Sequence, residues 1–210
     1  MSIGVLTTGI VAVFLIDSLK VSLGVTNNLD IENSIRTITN RLSGDARDAN
    51  SFVIYKTFFN NGHEINGSFR VPENGALRSN YRRQAGESGN FCLFVYNGGD
   101  PNALDLTPAP IERLVGYYLN NQGSNAVAEI RRFDVDVGMN RRNFSVEELI
   151  PKIESLASHS VVVQSARGLI SGNLFYNLRG RSVIINSEII YDLPNKTSGG
   201  TYNFTVSPRG

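Results

Sequence analysis

The sequence predicts an α+β fold: one long N-terminal helix, then a mostly antiparallel β region. Three observations carry this. Residues 1–16 are almost all apolar and carry no charge. Residues 31–49 hold one narrow apolar stripe at helical spacing. After Asn50 the pattern changes to short alternating runs divided by Gly-, Pro- and Asn-rich stretches.

Size and composition set the limits. The chain has 210 residues, 41% hydrophobic and 19% charged, the balance of a globular protein rather than a disordered one. The formal net charge of +1 supplies no bulk field for nucleic acid, which is not expected as a partner. Arginine pairs at 82–83, 131–132 and 141–142 read as residues alternating between the two faces of strands rather than as a phosphate-binding patch. The single cysteine, Cys92, excludes an internal disulfide and sits in an apolar run that reads as a buried strand.

The opening apolar run is shorter than the roughly 20 residues a bilayer span needs. It also lacks the basic start and small-residue cleavage site of a secretory signal. Its small residues, Gly4, Thr7, Thr8 and Gly9, suit close helix–helix packing. Ile3, Leu6, Ile10, Val13 and Phe14 are the expected packing residues, against membrane or against copies of the same helix. Residues 21–30, with Gly24, Thr26, Asn27 and Asn28, are weak helix formers and predict local softening. Helix signals then return. Ile31, Ile35, Ile38, Leu42, Ala46 and Ala49 recur three or four residues apart, which places all six on one face for packing on a sheet. Asn33, Arg36, Asn40, Arg41, Arg47 and Asp48 occupy the other face. A helix of some fifty residues is about 75 Å long. A domain of roughly 160 residues cannot cover it, so its first half must protrude. The domain reading is therefore an apolar helical segment over 1–27 and a globular head over 28–210. Within the head, an amphipathic helix at 29–50 precedes a β-rich region at 51–210.

Strands are expected at 51–59, 68–71, 91–96, 111–119, 126–137, 160–168, 174–178, 182–191 and 202–206. The Asn- and Gly-rich residues 120–125 join two of them as a hairpin, and 194–200 read as the turn before the last. Residues 97–110 read as a long loop. Ser145, with Glu147 and Glu148 in the first turn, caps a short helix that Pro151 can cut short.

Catalytic material is sparse. His63 and His159 are the only histidines, and both read as solvated, one in a turn and one at a helix-to-strand junction. No nucleophile elbow, metal-ligand spacing or phosphate loop accompanies them. Asp134 and Asp136 share a strand face, but two carboxylates without further oxygen ligands do not make a calcium site. No catalytic residue, cofactor or metal is expected, and the chain does not read as an enzyme.

Three stretches resemble the type IV pilin superfamily, nearest to PilW-like minor pilins and the J-type minor pseudopilins of type II secretion. Residues 1–16 look like the interior of a pilin hydrophobic segment. Residues 42–49, Leu-Ser-Gly-Asp-Ala-Arg-Asp-Ala, are similar to the leucine-x-x-aspartate-x-arginine-x-alanine run that ends the helix in that branch. Tyr117, Leu119, a Gly-containing turn, Ile130 and Arg132 match its tyrosine-x-leucine, turn, leucine-x-arginine pattern. The pilin start, glycine then phenylalanine-x-leucine-x-glutamate, is absent, so Met1 reads as a residue inside the mature segment and the missing length is expected upstream.

The resemblance implies a pilin-like fold and a structural role. The chain would be a minor subunit of a type IV pilus or a type II secretion pseudopilus. It would sit in the bacterial inner membrane by a single-pass helix, head in the periplasm, before extraction into a filament. Its partners would be other pilin or pseudopilin subunits, inner-membrane lipid and the assembly platform. The rival expectation is a membrane-anchored periplasmic binding or adhesion module that never polymerises.

Overall fold

The computed structural model describes residues 2–58, 82–98, 110–120, 128–142, 146–151, 158–169, 171–193 and 196–209. Helix α1 spans Ser2–Asp48. It runs without a break through residues 21–30, where softening was expected. Thr26 and Asn28 there are exposed, and the Thr26 hydroxyl donates to the Ser22 carbonyl at 3.0 Å, so its side chain bonds within the helix.

Nine strands follow: β1 (Ser51–Tyr55), β2 (Ser88–Gly89), β3 (Phe91–Asn97), β4 (Ile111–Asn120), β5 (Ala128–Asp136), β6 (Ser160–Gly168), β7 (Phe175–Leu178), β8 (Ser182–Leu193) and β9 (Lys196–Val206). A one-turn helix, α2 (Val146–Leu149), precedes β6. The strands form one antiparallel sheet in the order β1-β3-β4-β5-β6-β8-β7-β2, with β9 paired to β8. One edge of β8 carries β9; the other is shared, β6 facing residues 187–189 and β7 facing 182–185. The path curls until the segment around β2 returns to β1. There Arg83 N–H donates to the Ile54 carbonyl at 2.7 Å and Asn90 N–H to the Lys56 carbonyl at 2.9 Å. The result is nearly a closed barrel.

The two faces of this sheet carry separate cores. On one face the end of α1 packs over the strands: Ile38 and Leu42 meet Cys92, Phe94, Val115 and Tyr117. On the other, Phe58 stacks on Tyr118 at 4.1 Å between ring centres, among Phe91, Phe133 and Leu149. Strands β3 and β4 are buried on both sides and so read as continuous apolar runs. Gly116 belongs to the aromatic side, where the Phe133 ring occupies the space a Cβ would need.

Two expectations are corrected here. The first is the α+β, pilin-like fold, a long helix packed on a mostly antiparallel β head. The residues after α1 instead build one nine-stranded antiparallel sheet curled into a nearly closed barrel, and only the last third of α1 packs against it. The strands of the head were read as separate short runs. Residues 196–200, read as a turn, are the first half of β9, and β8 and β9 pair over eleven positions. The second is the inner-membrane, single-pass location. Among the described residues no helix is long and apolar enough to cross a membrane. The apolar run is cut by Asp17 and Lys20, which pair at 3.6 Å on the open helix surface, and Asn27, Asn28 and Asp30 follow.

Candidate functional site

Among the described residues, most of the exposed large apolar side chains lie on α1 before Ile31. Phe14, Leu15, Ile16, Leu19, Val21, Val25 and Leu29 are each between 52% and 73% exposed. Among the described side chains of α1 the first that is buried is Ile31, whose Cγ2 would be 2.6 Å from a Cβ on Gly200. Ile38, Leu42, Ala46 and Ala49 are buried with it and Ile35 is partly so. Of the five expected filament-packing residues only Phe14 has a described side chain, and it is 73% exposed. The side chains of Ile3, Leu6, Ile10 and Val13 lie outside the described set.

The end of α1 is fixed to the sheet by a compact ionic network that residue spacing alone did not reveal. Asp45 Oδ2 accepts from Tyr117 Oη at 2.5 Å and from Arg132 Nε at 2.8 Å, and Oδ1 accepts from Arg132 Nη2 at 3.1 Å. Arg132 Nη2 also reaches Asp134 at 2.8 Å, and Arg113 grips Asp134 with two bonds of 2.8 and 2.6 Å. Tyr96 donates to the Asp45 carbonyl at 2.6 Å while the Arg113 guanidinium lies 4.9 Å from its ring centre. The Arg113 bonds hold the Asp134 carboxyl below its usual range, with Arg132 adding to the effect. Burial, then the bond to Asp45, pushes the Tyr117 hydroxyl up, so it remains a proton donor. Two carboxylates meet two guanidiniums, so the charges of the network offset one another. Its chemistry is to set the angle of α1 on the sheet.

The residues quoted for the two later motifs therefore meet in space. Asp45 comes from the 42–49 run, while Tyr117 and Arg132 face each other across the β4–β5 pairing. The alternation expected for Arg131-Arg132 accounts for it: Arg132 points to α1, and Arg131, on the far face, pairs with Glu129 at 2.8 Å.

The remaining candidates are dispersed. Cys92 is fully buried on the helix side, and burial raises its thiol far from the reactive range. His159, expected in solvent, is only 7% exposed and lies on the opposite face. Its Nδ1 is 2.9 Å from Tyr118 Oη and its ring packs on Phe58 and Phe133. Burial, then Arg131, lowers its pKa. The sheet thus separates Cys92 from His159. His63 lies outside the described residues. Asp134 is committed to arginines, and among the described residues no three His, Cys, Asp or Glu gather as a metal site. A buried acid, Glu147, accepts from Tyr55 Oη at 3.0 Å and Arg82 Nε at 2.6 Å, which ties α2 to the β1 edge.

No protein-family model, curated protein or solved structure matches this chain.

Proposed function

We propose that this chain is a structural subunit, a minor component of a type IV pilus or type II secretion pseudopilus, that joins its neighbours through the projecting half of α1. The observation that carries the reading is the row of large apolar side chains on α1 beyond its last contact with the sheet. Soluble monomers rarely leave such a surface uncovered, and another helix is its natural cover. The meeting of Asp45, Tyr117 and Arg132 adds support, because it orients the projecting half rigidly relative to the sheet.

The test is association of the full chain. Val21→Asp with Val25→Asp places two charges in the middle of the exposed apolar surface and leaves every sheet contact intact. Sedimentation and electron microscopy of the parent chain should show large or filamentous assemblies that the variant lacks. Equal assembly by parent and variant would overturn the proposal.

A further inference from the structure

Independently of the helix, β9 presents an open strand edge. Among the described residues β9 pairs with β8 alone, so one full row of its backbone donors and acceptors has no strand beside it. The opposite end of the sheet is not open in this way, because Arg83 and Arg82 lie along β1. At about 3.4 Å per residue the eleven residues of β9 extend roughly 37 Å. Edges of this length are normally blunted by charge, proline or a bulge. From 196 to 206 the only charge is Lys196 at the start, there is no proline, and the pairing to β8 has no register shift.

We infer that this edge is an interface for a second copy of the chain, β9 pairing antiparallel with β9 across a two-fold axis at Tyr202. Three features favour a copy as the occupant. First, residues 197–206 are uncharged, so the edge meets its own image without repulsion. Second, the exposed side chains Thr201 and Asn203 are small and polar and suit cross-strand pairing with one another. Third, this register sets Phe204, which is only partly buried, opposite Gly200 of the other copy, over which Ile31 already lies, so the ring meets an apolar side chain there. The same register sets Thr201 opposite Asn203. A two-fold contact of this kind closes at the dimer and extends the sheet through both copies.

The experiment uses the full chain carrying Val21→Asp and Val25→Asp, so that helix association does not mask the strand contact. In sedimentation equilibrium this chain should have the mass of a dimer. Adding Thr201→Lys with Asn203→Lys puts like charges directly opposite and should give a monomer with unchanged circular dichroism. Thr201→Lys with Asn203→Asp puts opposite charges there and should restore the dimer. A monomeric parent in this background would overturn pairing of copies and leave the edge to a foreign strand, without touching the reading of α1. A dimer that survives the two lysines, or is not restored by the lysine–aspartate pair, would overturn the stated register and edge.

Discussion

Asp45→Ala is the most direct probe of how α1 is held. The carboxylate is 15% exposed and its partner Arg132 is 19% exposed, so both lie in the regime where breaking a pair is costly. Breaking a buried pair costs about 3–5 kcal/mol. Here Asp134 still holds Arg132, which moderates the loss, while Tyr117 Oη loses its acceptor. The expected net is about 3 kcal/mol, or a fall in Tm of roughly 6–12 °C for a chain of this size. Urea and thermal unfolding can be followed by tyrosine fluorescence, since the chain has no tryptophan. The double variant Asp45→Leu with Arg132→Met should be less destabilised than Asp45→Ala alone, because it leaves no uncompensated charge near the helix. A loss under about 0.5 kcal/mol for Asp45→Ala, or strict additivity in the double variant, would refute the role given to the network.

Three further outcomes are expected. Leu42→Ala removes a fully buried side chain from the helix–sheet core and should cost about 2–5 kcal/mol in denaturant unfolding. His159 is buried with a lowered pKa, so the unfolded chain takes up its proton first. Its stabilising contribution is complete above the unfolded value near 6.5 and declines as pH falls through the lower folded value. Stability measured from pH 8 downward should show this decline, and His159→Phe should flatten it. Cys92, fully buried with a raised pKa, should resist maleimide in the folded chain and react at the rate of global unfolding; fast labelling under native conditions would contradict the packing described.

How much of the fold could be read in advance depended on the kind of signal each segment carried. Residues 160–168 form β6 at the expected bounds, because the β-branched run 161–163 carries strand propensity, although burial along the strand does not alternate strictly. Strand β2 has two residues, too few for any periodicity. Gly199 and Gly200 pointed to a turn, yet they lie inside β9. Gly200 is there because Ile31 comes close to the backbone, the other meaning of a strand glycine. His159 misled for a similar reason. Its serine neighbours suggest solvent, while the rings that bury it come from residues 58, 118 and 133. The ionic network was half visible: the motifs supplied Asp45, Tyr117 and Arg132, but Asp134 and Arg113 joined only once β4 and β5 set their register.

The two apolar surfaces of α1 do not lie on one line, and this shapes what the projecting half can do. At about 100° per residue, the stripe from Ile31 to Ala49 and the exposed apolar residues from Phe14 to Leu29 are centred roughly 140° apart around the helix axis. Asp17 and Lys20 fall on the side that continues the sheet-facing stripe. Extending the chain's own sheet along α1 would therefore cover the polar side of the projecting half and leave the apolar side bare. A partner must approach from the side of α1 turned away from the sheet. With the Asp45 network fixing the helix against rotation, the exposed apolar side of α1 and the sheet lie on opposite sides of the helix, so the proposed partner helices would pack away from the sheet. Moving Val21 and Val25 to the sheet-facing side, as Lys20→Val and Gly24→Val with Val21→Lys and Val25→Ser, keeps the helix nearly as apolar and changes only the direction of that surface. Assembly that depends on direction should fail in this variant; assembly that depends on apolar content alone should persist.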